Sequence, residues 1–94
     1  MDSLRIRTAA IEDYDRLCGH EHHVTDEVLR ACLREGRMLV AELDGRLAGW
    51  LRWNLFWDIV PFMNHLRVLD EFRGRGFGGR LVRRWEDDMR ERGH

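Results

Sequence analysis

The chain has 94 residues, with 16 basic against 17 acidic side chains and a formal charge of −1; such a length supports one domain, and the balance gives no general attraction to nucleic acid or an anionic membrane. Every basic residue is arginine, which excludes a P-loop nucleotidase, a lysine Schiff base and a lysine general base. With 44% hydrophobic and 35% charged residues, one proline and no repeat, the chain is neither disordered nor fibrous.

Met1-Asp2-Ser3 shows no basic-then-apolar targeting pattern, and no apolar run approaches the ~20 residues that span a bilayer. A cytoplasmic protein without a membrane partner is expected. Leu4 and Ile6 alternate with Arg5 and Arg7, the period of a half-buried strand. Thr8 is then placed to cap a helix carrying Ile11, Tyr14, Leu17 and Cys18, which Gly19 stops. Thr25, followed by Asp26 and Glu27, caps a second helix whose apolar stripe is Val28, Leu29, Cys32 and Leu33 and which Gly36 ends. Cys18 and Cys32 fit neither a C-x-x-C pair nor a zinc module, so both are expected to be buried thiols.

Between these helices, Gly19-His20-Glu21-His22-His23 gathers three of the five histidines. The spacing is not that of H-E-x-x-H, and adjacent loop residues rarely converge on one ion. No metal site is expected, and the segment reads as a solvated loop.

Met38 to Leu43 is strand-like, Asp44-Gly45 is a two-residue hairpin signal, and a second strand runs from Leu47 as far as Phe56. Along it Trp50, Arg52, Asn54 and Phe56 face one way and Leu51, Trp53, Leu55 and Trp57 the other; both faces are bulky, so both should be covered. Trp50, Trp53, Trp57 and Phe62 read as core, with the lining of a pocket as the alternative. Asp58 to Pro61 breaks the pattern, and Phe62 to Leu69 resumes as a fourth strand. From about Gly78 to Arg92 a helix presents Leu81, Val82, Trp85 and Met89 on one stripe, with charge pairs elsewhere. The resulting order, β-α-α-β-β-β-α, is an α/β (α+β) fold.

Residues 73–80, Arg-Gly-Arg-Gly-Phe-Gly-Gly-Arg, lie between that fourth strand and the last helix. Five arginines and no acid occur between Phe72 and Trp85, and an anion belongs at such a helix start. Glycine lets a diphosphate approach the main chain and permits φ > 0. Three readings compete. Gly74, Gly76 and Gly79 satisfy G-x-G-x-x-G, but the acidic residue about 20 positions on, after a second parallel strand, has no place here. An RNA-binding Arg-Gly segment predicts a repeated, disordered tract, whereas this one occurs once and opens an amphipathic helix.

The third reading is Arg-x-x-Gly-x-Gly, matched by Arg73, Gly76 and Gly78, after a strand carrying Leu66 and Val68. Here the chain resembles the GNAT superfamily of N-acetyltransferases, as do its Asp44-Gly45-Arg46-Leu47-Ala48-Gly49 hairpin and its opening Leu4-Arg5-Ile6-Arg7-Thr8-Ala9. The resemblance implies a single acetyl-CoA-binding domain over residues 1–94, a mixed, mostly antiparallel sheet flanked by helices, and transfer of an acetyl group to a primary amine. It implies that Arg73, Gly74, Arg75, Gly76, Phe77, Gly78 and Gly79 hold the CoA diphosphate, and that the main chain of Leu66, Arg67 and Val68 pairs with the pantetheine arm and polarises the thioester. The family's strand carboxylate corresponds to Phe62, so Asp58 and His65 are the nearest candidates for the base. The histidine-rich segment borders the acceptor pocket in the family. The family fold continues through a fifth strand, so an incomplete domain, or a homodimer through the open edge of the fourth strand, is expected. A non-catalytic CoA-binding remnant and an RNA-binding module remain the alternatives.

Overall fold

The computed structural model describes residues 3–21 and 24–94. Met1 and Asp2 of the N-terminal reading, and His22 and His23 of the histidine-rich segment, lie outside the described residues. The chain runs β1 (Leu4–Thr8), a 3-10 turn (Ile11–Asp13) continuing into the one-turn α1 (Tyr14–Leu17), α2 (Asp26–Arg34), β2 (Met38–Leu43), β3 (Arg46–Phe56), β4 (Val60–Val68), a second 3-10 turn (Asp70–Phe72) and α3 (Phe77–Glu91). The strands lie in the order β1-β2-β3-β4, every described pairing antiparallel.

Local chemistry explains most boundaries. Asp44 and Gly45 both take positive φ, 52° and 81°, as a two-residue turn between Leu43 and Arg46 requires. Thr25 caps α2 by accepting from the Val28 amide at 3.2 Å, and Gly36 at φ 70° closes it. Both faces of the sheet are covered, as the bulky alternation on β3 predicts. On one, Leu17, Leu29 and Leu33 meet Met38, Val40 and Trp50; on the other, Leu81 and Met89 of α3 meet Leu39, Ala41, Leu51 and Trp53.

Several expectations are corrected. Thr8 ends β1 and caps nothing; Asp13 takes over, its carboxylate accepting from the Ala10 amide at 2.8 Å. Pro61 belongs to β4, opposite Leu55, which an edge strand tolerates because no amide is needed on its outer side. Trp57 leaves the strand for the β3–β4 turn and is 79% exposed, while Phe62 is 52% exposed, so neither is core. Of the two thiols, Cys32 is buried and Cys18 is exposed.

Asp13 also ties the first helical segment to the sheet. It accepts from both terminal nitrogens of Arg7, at 2.7 and 2.8 Å, and from Arg16 at 2.8 Å. Both arginines also reach Glu42 on β2, at 2.9 and 3.0 Å. The Arg7 hydrogen bonds, which outweigh burial, hold the Asp13 carboxyl well below the usual carboxylate range.

β3 and β4 approach closely at Gly49. A Cβ there would lie 2.5 Å from the Arg67 carbonyl oxygen and 3.2 Å from the Val68 Cα. Both obstacles are backbone, so Gly49→Ala must push the strands apart. A loss of about 1–3 kcal/mol is expected from such overpacking, measurable as a shift in the urea midpoint at unchanged slope.

Candidate functional site

The glycine-rich loop follows β4 after the short 3-10 turn Asp70–Phe72. Phe72 and Phe77, both buried, pack together with Ala48 at its two ends, so the loop spans a short gap between fixed points. Gly74 and Gly76 sit at φ 81° and 77°, and a Cβ at either would meet nothing within 4 Å. Backbone conformation, not crowding, therefore demands glycine at these two positions, and open space lies above them. Gly76 is the N-cap of α3, and the first turn of that helix contains no acid. A helix start leaves its leading amides without intrahelical acceptors, and here they open the longest helix of the chain. Gly78 lies against β4: a Cβ there would touch the side chains of Val68 at 3.6 Å and Leu66 at 3.9 Å. Arg73 donates to the Val68 carbonyl at 3.1 Å and pairs with Asp70 at 3.3 Å, anchoring the loop to the strand end; Arg75 is exposed.

β4 pairs with β3 along one side, with Leu66, Arg67 and Val68 opposite Leu51, Trp50 and Gly49. Among the described residues no strand pairs with its other side. A main-chain edge therefore leads to the glycine loop. The positive helix start, the bare loop and this edge fit a diphosphate followed by an extended amide-bearing arm, which are the chemical features of coenzyme A.

On the opposite face of β4 the structure holds a cluster that sequence reading missed. Glu21, between α1 and α2, is buried, its side chain fully so. It accepts from the Trp50 indole N–H at 2.7 Å and from Arg52 Nε at 3.0 Å, and His65 Nδ1 stands in hydrogen-bond contact with the same oxygen that Trp50 reaches. Burial is the largest influence on Glu21 and pushes its carboxyl up. The hydrogen bonds from Trp50 and His65 and the charges of His65 and Arg52 together outweigh it, so the group titrates below the ordinary glutamate range. The expected solvated loop is thus, at Glu21, a buried anchor. Arg67 lies over the Trp50 ring at 5.8 Å and the His20 ring stands 5.4 Å from it.

A bulge in β4 makes this arrangement possible. Arg52 pairs with His65, but Trp53 pairs with Met63, so Asn64 is an extra residue. Under strict alternation Met63 and His65 would share a face. With the bulge, Met63 and Leu66 join the α3 cluster while His65 meets Glu21. Bulges re-aim side chains in this way beside functional sites.

The two candidate bases are not brought together. Asp58, at φ 63°, is exposed in the β3–β4 turn, where the Ile59 amide closes on the Phe56 carbonyl at 3.2 Å. It borders an open depression with Arg37, Asn54 and Leu55. The Arg52–His65 pair lies four residue positions along β3 from Phe56, roughly 13 Å at the strand rise.

Family comparison agrees with this geometry: residues 5–94 match the model of the Acetyltransferase (GNAT) family, and the chain belongs to that family. No curated protein matches the chain. Among solved structures it is similar to N-acetylglutamate synthase from Neisseria gonorrhoeae complexed with coenzyme A and L-arginine, at TM-score 0.83 and 22% identity over 97% of this chain and 22% of the other. It is also similar to diaminobutyrate acetyltransferase from Paenibacillus lautus in complex with its substrate L-2,4-diaminobutyric acid and coenzyme A, at TM-score 0.74 and 13% identity over 88% and 56%. A third likeness is to ribosomal-protein-alanine N-acetyltransferase from Brucella melitensis, at TM-score 0.71 and 20% identity over 96% and 74%. The chain thus spans 22% and 56% of the length of the first two. These likenesses bear on the fold. No helix of the described residues is long and apolar enough to cross a membrane.

Proposed function

We propose that the 94 residues form an acetyl-CoA-binding domain that transfers the acetyl group to a primary amine. The observation that carries this reading is the pair of left-handed glycines, Gly74 and Gly76, leading into α3 beyond a strand edge with which no described strand pairs. Main-chain amides of residues 73–79 would hold the diphosphate, with Arg73 and Arg75 adding positive charge. The edge formed by Leu66, Arg67 and Val68 would align the pantetheine arm and turn an amide toward the thioester oxygen, where negative charge develops as the amine attacks. Bound acetyl-CoA supplies the activated acyl group. Of the two candidate bases His65 is favoured over Asp58, because His65 stands next to Leu66 on the strand that would carry the thioester, whereas Asp58 is at the hairpin tip.

A thermal-shift experiment tests this reading. Ligand at 100 times its Kd stabilises the folded state by about 2.7 kcal/mol, which in a domain of this size raises Tm by roughly 10–20 °C. Gly76→Asp places a side chain at φ 77° and a negative charge at the helix start, and is expected to abolish that shift. A shift of unchanged size in this variant would remove the loop from the proposal. Stabilisation by an RNA oligomer, steeply reduced by salt, would favour the nucleic-acid alternative. L-2,4-diaminobutyrate, the substrate bound in the similar Paenibacillus lautus structure, L-glutamate and a peptide with an N-terminal alanine are suitable first acceptors for measuring thiol release.

A further inference from the structure

Glu21 does more than fill a hole. Its carboxylate already has a permanent cation in Arg52 at 3.0 Å and a neutral donor in the Trp50 indole at 2.7 Å, so one full positive charge faces it independently of the histidine. A carboxylate accepts and cannot donate. The hydrogen bond between it and His65 Nδ1 therefore requires the proton to sit on Nδ1, which leaves the basic lone pair of the ring on Nε2. The His65 side chain retains 24% exposure while that of Glu21 is sealed. The Asn64 bulge turns His65 to this face, next to Leu66 on the proposed thioester path.

Resting on the acetyltransferase reading above, we propose that Glu21 is a positioning residue that fixes the His65 ring with its proton on Nδ1, so that Nε2 takes the proton from the acceptor amine. The amine nitrogen forms the new bond to the thioester carbon as the carbon–sulfur bond breaks and its electron pair leaves on sulfur. The proton shed by the nitrogen goes to Nε2. The imidazolium, facing the Glu21 carboxylate, then returns that proton to the departing thiolate, directly or through water, so an amide and a thiol are the products and His65 is restored. Among the described residues, the charged groups of this cluster are Glu21 from the helical connection, Arg52 opposite His65 on β3 and Arg67 of β4 over the Trp50 ring.

The ring nitrogens report the arrangement without any ligand. In the wild-type chain labelled with 15N-histidine, the neutral form of His65 is expected to show a protonated Nδ1 and an unprotonated Nε2. In Glu21→Gln the side-chain amide donates to Nδ1 and the proton moves to Nε2, the wrong tautomer for a base. An Nε2-protonated ring in wild type overturns the proposal, and this measurement needs no variant to fold. The second arm follows thiol release with primary amines. Glu21→Gln is expected to lower kcat on the order of 10²-fold, with His65→Ala losing at least as much, while KM for acetyl-CoA and the CoA-induced Tm shift stay near wild type. Glu21→Gln turnover within twofold of wild type overturns the positioning role, as does a wild-type chain that binds acetyl-CoA yet transfers to no amine. Failure of the acetyltransferase reading looks different: the Tm shift is then absent from the wild type itself.

Discussion

Glu21→Ala is expected to destabilise the fold by about 3–5 kcal/mol, the cost of removing one partner from a buried charged pair. The carboxylate removed is the acceptor for three donors on two strands, Trp50, Arg52 and His65, and the Arg52 side chain, 10% exposed, has little access to water. Domains of this size have about 5–15 kcal/mol in total, so the variant should sit near its unfolding threshold at room temperature. The origin of the cost can be separated from cavity formation. Combining Glu21→Leu with Arg52→Met removes the stranded cation as well as its acceptor, and apolar replacement of a buried pair is often neutral or better. The double variant should therefore be more stable than Glu21→Ala. Denaturant unfolding of the three chains checks this, and Glu21→Ala within 1 kcal/mol of wild type, on the scale of a surface ion pair, would mean that the cluster is not energetically buried.

Asp13→Asn is expected to cost about 2–3 kcal/mol at pH 7, in the range for hydrogen bonds to charged groups. This is less than for Glu21, because Arg7 and Arg16 are 28% and 33% exposed and can turn to solvent. The sign with pH is set by the hydrogen bonds from Arg7, which hold the folded carboxyl below its unfolded value of about 3.9. Its contribution is fully present above that value and is lost as pH falls from about 4 toward the depressed folded value. Glu42 and Glu21 are also shifted downward, by Arg7 in the first case and, against burial, by Trp50 and His65 in the second, so they act in the same direction. Wild type should lose stability between about pH 4 and pH 2, and Asp13→Asn should flatten that loss. Equal slopes in the two chains would show that Asp13 is not held as described.

How far the sequence carried these conclusions depended on whether local chemistry or tertiary pairing governed each residue. Asp44-Gly45, Thr25 and Gly36 are set by backbone conformation within a few residues, and the structure follows them. The Arg73–Gly79 loop belongs to the same class, since positive φ at Gly74 and Gly76 is a local demand. Glu21 was hidden because it lies among histidines in a polar connection and its partners are 29 to 44 residues away. A signal existed: Arg52 shares a strand face with Trp50, and a cation on a covered face requires a carboxylate from elsewhere. The Asn64 bulge had no such signal. One inserted residue reverses the alternation between Met63 and His65, and only the pairing with β3 reveals it.

The central claim, that main-chain amides at the start of α3 bind the diphosphate of coenzyme A, is tested most directly by titration calorimetry of CoA into the chain at near-physiological salt. A saturable one-site heat in the wild type, lost in Gly76→Asp while the far-ultraviolet spectrum of the fold is retained, is the result the structure predicts. No heat of association with the wild-type chain at millimolar CoA, or equal heats for the two chains, would contradict it.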